Sequence, residues 1–154
     1  IALPPIGCSN PEQMRVGPLY RFPARMESLE AMATLMKSVA PDWGSAPLLR
    51  AETALEELLA NAVAYGGSPA NGSASDIWLG VGLVGGRLQL RYEDGFAPFD
   101  PMEQIDMALR RAASPLEQRP PGGLGLLMVF RMADGFSYQR ADGRNRIDLA
   151  FLRQ

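Results

Sequence analysis

Residues 122–145 read GGLGLLMVFRMADGFSYQRADGRN. Two glycines precede Leu124, and Gly125 follows it, at the head of an apolar run that reads as a helix over 124–132. Glycine lets a backbone approach a ligand closely. Free N–H groups and the dipole at a helix start attract phosphate. The backbone amides of Gly122, Gly123, Leu124, Gly125 and Leu126 are therefore a candidate phosphate site. After the helix, 136–140 and 145–152 read as two strands joined through Ala141-Asp142-Gly143, a hairpin signal. Ahead of the glycines, 114–123 is rich in Pro, Gly, Gln and Arg, the composition of a mobile loop.

Working outward, 76–84 and 87–93 read as a second strand pair turned at Gly85-Gly86. Upstream lies the clearest helix, over 46–65. Ser45 is its expected N-cap, Pro47 lies in its first turn, and Leu48, Leu55, Leu58, Leu59 and Ala62 form its apolar stripe. Met26, Leu29, Met32, Ala33, Met36 and Val39 predict an earlier helix. A short strand over 19–23 precedes it, at a sheet edge because Pro23 cannot donate to a ladder. A further short helix is expected over 102–113. Residues 1–17 read as a loosely attached arm and 18–154 as one domain. The order predicts an α+β fold, a two-layer α/β sandwich with helices on one face of a mainly antiparallel mixed sheet.

Composition removes several function classes. The 154 residues hold no histidine, one cysteine (Cys8) and one lysine (Lys37). Ser-His-Asp and Cys-His nucleophile systems are excluded within this chain. So is a P-loop, and the ligands for a structural zinc site are lacking. General base chemistry falls to Asp or Glu. With 15 basic and 17 acidic side chains the net charge is −2, which argues against bulk nucleic-acid binding. No apolar run approaches the roughly 20 residues of a membrane span. A single cysteine fits a reducing compartment, and a cytoplasmic location is expected.

Two further constellations carry chemistry. In the 46–65 helix, Glu57 and Asn61 are one turn apart and about 40° apart around the axis, so they project together. Asn offers a neutral oxygen to Mg²⁺, and Glu can orient or deprotonate a hydroxyl. The second constellation is Tyr92-Glu93-Asp94-Gly95-Phe96-Ala97-Pro98-Phe99-Asp100-Pro101. An acid at a strand end can accept from an exocyclic amine such as that of adenine.

In this order the motifs resemble a known family. The segment E-x-x-x-N-A at Glu57, D-x-x-x-P-F-D-P at Asp94, and the run from Gly122 through Val129, Arg131, Asp134, Tyr138 and Gly143 to Asn145 resemble the ATP-binding GHKL (Bergerat-fold) superfamily. Within it they look most like the anti-sigma-factor serine kinases, over roughly residues 18 to 152.

The resemblance implies roles. Glu57 is the general base and Asn61 the Mg²⁺ ligand. Asp94 reads adenine, and Gly122 to Leu126 lie against the phosphates. Residues 102–121 correspond to the ATP lid, whose Arg110, Arg111 and Arg119 touch phosphate or form a solvated face. Arg131 and Asp134 match the family as a structural pair. The implied activity is phosphorylation of a small anti-anti-sigma (STAS) partner from Mg·ATP, with sequestration of a sigma factor. Dimerisation is a family expectation. The alternatives are an ATP-gated partner-switch module without kinase activity, or the ATP-binding domain of a larger sensor. Two departures stand out. Tyr65-Gly66 replaces the frequent His-Gly, and Phe96 stands where D-x-G-x-P-F has Gly. If the loop instead carries one extra residue, Glu93 takes the Asp94 role.

Overall fold

The computed structural model describes residues 14–65, 76–113, 115 and 124–153. Their element order is β1 (Tyr20–Pro23), α1 (Ser28–Val39), α2 (Ser45–Tyr65), β2 (Asp76–Val84), β3 (Arg87–Asp94), α3 (Pro101–Ala112), α4 (Leu124–Met132), β4 (Gly135–Ala141) and β5 (Arg144–Leu152). The strands form one five-stranded sheet in the order β1-β2-β3-β5-β4. All four pairings are antiparallel, so the parallel component of the expected mixed sheet does not occur among the described residues. The fold is α+β, and its helices pack on one face of this sheet.

Strand alternation builds that face. Leu88, Leu90 and Tyr92 of β3 point to the same side as Ile147, Leu149 and Phe151 of β5, because their registers pair Tyr92 with Ile147 and Leu90 with Leu149. Ile77, Leu79 and Val81 continue the surface on β2. Onto it pack Met32 and Met36 of α1, Leu55, Leu58 and Leu59 of α2, and Leu126, Leu127 and Val129 of α4. Each fully buried side chain of this kind stabilises the fold by about 1.5–3 kcal/mol.

The opposite face is polar. Arg91 grips Asp148 through two bonds of 2.9 and 3.0 Å. Glu93 pairs with Arg146 at 3.1 Å and Arg144 at 3.6 Å, and Arg144 also lies over the Trp78 ring. These are cross-strand pairs, and each carboxylate is buried with its cation beside it.

Both hairpins turn on two residues with positive φ. Gly85 and Gly86 have φ of 57° and 73°, and Asp142 and Gly143 have 52° and 76°. That backbone matches the twist of the flanking strands. Ala141, expected in the second turn, instead ends β4 opposite Arg144. Ser45 is the first residue of α2 rather than its cap, whereas Asp100 does cap α3, accepting from Met102 N at 2.9 Å with Pro101 following.

Of the expected arm, residues 1–13 lie outside the described residues. Residues 15–17 rest on the sheet, with Gly17 N bonded to Val81 O and Arg15 N to Gln89 Oε1, both at 2.9 Å. A side chain on Gly82 would collide with the Arg15 backbone. Of the expected lid, 102–112 belong to α3, which buries Ile105 and Ala108, while 114 and 116–121 lie outside the described residues. No helix among the described residues is long and apolar enough to cross a membrane.

Candidate functional site

The last residue of β3 is Asp94, buried to 9% exposure on the helix-facing side of the sheet. Opposite it on β5 stands Asn145. Asn145 Nδ2 donates to Asp94 Oδ1 and to Ala97 O, each at 2.9 Å. Its Oδ1 accepts from Phe99 N at 3.1 Å and from Tyr138 Oη at 2.8 Å. Arg140 Nη1 donates to Phe96 O at 2.7 Å, and Phe96 N returns to Asp94 Oδ1 at 3.1 Å. One asparagine thus fixes both the carboxylate and the loop that follows it.

Phe96 is accommodated in that loop with its side chain buried in the core. Glu93 points to the other face of the sheet and is held by arginines, so Asp94 alone of the two acids enters the helix-side cavity. The hydrogen bonds from described residues to this carboxylate fall on Oδ1, which leaves Oδ2 available to a ligand.

That cavity is lined by Leu58, Asn61, Tyr92, Asp94, Phe99 and Leu126 among others. Its walls are mainly apolar, with polar groups at a few points, the usual build of a small-molecule site. Burial pushes the Asp94 carboxyl above its ordinary range. The bonds from Asn145 and Phe96 N, the charge of Arg140 and the nearby Tyr92 hydroxyl partly offset that rise. Tyr92 Oη is buried without a hydrogen-bond partner. The hydroxyl lies close enough to the Asp94 carboxylate for a hydrogen-bond contribution to both groups, but the contact falls short of strict hydrogen-bond geometry.

The other end of the site is built by α2 and α4. Asn61 lines the Asp94 cavity. Glu57, one turn earlier, lines a neighbouring groove with Leu124, Gly125, Met128 and Arg131. A Cβ on Gly125 would overlap Glu57 Oε2, so the glycine is what lets the start of α4 sit against this carboxylate. Leu126 faces the cavity, whereas Leu124 and Gly125 face the groove. Gly122 and Gly123 lie outside the described residues, as does the Tyr65 side chain.

Arg131 is exposed on the groove wall, and it does not pair with Asp134. Asp134 Oδ2 instead accepts from Leu152 N at 2.6 Å and faces Arg50 at 3.7 Å, tying the end of α4 to β5. Sequence reasoning gave no role to Arg140, included Tyr92 only as the first residue of the Asp94 stretch, and treated Tyr138 and Asn145 only as spacing matches. Alternation back from Asp94 would have brought Tyr92 into the site. The others depend on β3 pairing with β5, a contact across about 50 residues.

A sequence model of the histidine kinase-like ATPase domain matches residues 22–151. The match covers most of the chain, which therefore belongs to this family, within the GHKL superfamily. No curated protein matches the chain. Domains of this family bind ATP, typically with Mg²⁺.

The residues present fit such a ligand. A buried carboxylate with a free oxygen suits an exocyclic amine, and the Tyr92 hydroxyl is a second polar group beside it in the same cavity. No group of three or more His, Cys, Asp or Glu capable of holding a metal exists among the described residues. Mg²⁺ here would rest on Asn61 and the nucleotide's own phosphates, a common arrangement for this ion.

Proposed function

We propose that this ATPase domain is a serine/threonine protein kinase of the anti-sigma type. It phosphorylates a small anti-anti-sigma (STAS) partner and, through that reaction, controls sequestration of a sigma factor. The observation that carries this reading is the position of Glu57. Its carboxylate lies against Gly125 at the start of α4, one turn from Asn61 in the Asp94 cavity, and opens onto a groove of its own. A carboxylate there can take the proton of an attacking hydroxyl, a task that nucleotide binding alone does not require.

In this reading each residue has one task. Asp94, held by Asn145, takes the amine of adenine and fixes the nucleotide's orientation. The amides at the start of α4 point toward the phosphates. Asn61 would hold Mg²⁺, which when bound would supply charge neutralisation on the phosphates. The partner's hydroxyl enters through the groove between α2 and α4, past Leu124 and Met128. Glu57 receives the hydroxyl proton as the oxygen bonds to the γ-phosphorus, the bond to the β-phosphate oxygen breaks and ADP leaves.

Transfer of labelled γ-phosphate from ATP to a cognate STAS protein tests the proposal. The wild-type domain is expected to label a serine or threonine, and Glu57→Ala to bind ATP without labelling. Tight ATP binding with no transfer by the wild type would contradict the kinase reading and favour a nucleotide-gated binding module.

A further inference from the structure

Tyr92 Oη is the only buried side-chain nitrogen or oxygen without a hydrogen-bond partner among the described residues. Neighbouring groups have partners within the protein: Asn145 uses both its amide atoms, Tyr138 Oη has a partner and Arg140 caps a carbonyl. Tyr92 stands on the same face of β3 as Asp94, two residues earlier, and both line the cavity. A buried hydroxyl left unmet costs free energy that a phenylalanine would avoid. Such a group calls for a partner from outside the chain, and its place beside Asp94 in the cavity makes a bound ligand a fitting one.

We propose that Tyr92 is a base-specificity residue, whose hydroxyl donates to a ring nitrogen of adenine beside the amine that Asp94 accepts. This rests on the reading of the cavity as an adenine-nucleotide site. The chemistry of the base supports the pairing. Both polar edges of adenine set an acceptor nitrogen, N1 or N7, next to the amine. A donor next to a carboxylate therefore meets its complement on either edge. Guanine carries an oxygen in place of that amine and would set an acceptor against the Asp94 carboxylate. Burial, reinforced by the Asp94 charge and by the hydroxyl's contact with that carboxylate, raises the Tyr92 phenol well above its ordinary range, so the hydroxyl keeps its proton.

The test is calorimetric titration of wild type and Tyr92→Phe with ATP, 1-deaza-ATP and 7-deaza-ATP, with Mg²⁺ present, alongside melting curves of both proteins without nucleotide. Wild type is expected to bind ATP about five- to tenfold more tightly than one of the two analogues. Tyr92→Phe is expected to bind ATP and that analogue equally, and ATP about fivefold more weakly than wild type does. Without nucleotide the variant is expected to melt no lower than wild type. Equal ATP affinity in the two proteins, or discrimination that survives in Tyr92→Phe, would overturn the inference while leaving the ATP site intact. A lower melting point with an unchanged analogue series would place the hydroxyl on Asp94 and overturn it as well. No ATP binding by wild type would overturn the nucleotide reading and the inference together.

Discussion

The two ends of the site are built on different terms. At the Asp94 end Asn145 bonds the carboxylate, the 95–99 loop and Tyr138 at once, and Arg140 holds the loop from β4. At the Glu57 end, the Glu57 and Asn61 side chains are half-buried and bond to no described residue, and Leu124 at the groove mouth is 62% exposed. The first end is organised before a ligand arrives, which limits the ordering entropy that binding must overcome. Among the described residues, the second has no such partners for its polar side chains. A division into a rigid recognition end and an open chemical end follows, and substitutions should separate the two.

The largest separation is expected from Glu57→Ala. Removing the base should lower phosphoryl transfer by about 10²–10⁴-fold. ATP affinity should stay within about twofold, because the base end is untouched. Single-turnover transfer assays paired with ATP titration check both halves.

Asp94→Asn should do the reverse. It replaces the acceptor for the amine by an amide, and ATP affinity should fall about 30- to 100-fold. The fold should not suffer. The Asp94 carboxyl is raised above the ordinary 3.8, so the folded state holds this proton more tightly than the unfolded chain. Its stabilising contribution is complete below 3.8 and is lost as pH rises through the folded value. At neutral pH the buried charge therefore costs stability, and Asp94→Asn should melt at or above the wild-type temperature. In the wild type, ATP affinity should fall as pH drops through a midpoint above 3.8, and this dependence should vanish in the variant.

A smaller effect probes the join between the ends. Gly125→Ala pushes a methyl group into Glu57 Oε2, and the flexible carboxylate must swing away. Transfer should fall about tenfold, with melting temperature nearly unchanged, since alanine is the better helix former.

The smallest effect on the site is expected from Asp134→Ala. It removes the acceptor of Leu152 N and should cost about 1–2 kcal/mol of stability. ATP affinity of the folded protein should not change. Chemical denaturation and titration on the same sample test this pair of outcomes.

The sequence carried the chemical end better than the recognition end. Glu57 and Asn61 share a helix face by spacing alone, and a glycine run opening an apolar stretch announces the start of α4. Both are local signals. The choice between Glu93 and Asp94 was not local. It follows from strand alternation once β3 is known to end at Asp94, which sends Glu93 to the arginines of the other face.

Asn145 as the organiser of the 95–99 loop required the pairing of β3 with β5, which no spacing within either hairpin reveals. Tyr92 was hidden for another reason. In sequence it reads as one more large residue of a buried strand, and only the unmet hydroxyl distinguishes it. The hairpins were legible from Gly85-Gly86 and Asp142-Gly143, because positive φ at both turn positions restricts the residues that fit.

Calorimetric titration with ATP and Mg²⁺, run on wild type, Asp94→Asn and Glu57→Ala, bears most directly on the claim that recognition and chemistry occupy separate ends of one nucleotide site. One-to-one binding by wild type and Glu57→Ala, with about 30- to 100-fold weaker binding by Asp94→Asn, is the predicted result. No binding by wild type, or equal binding by all three, would contradict it.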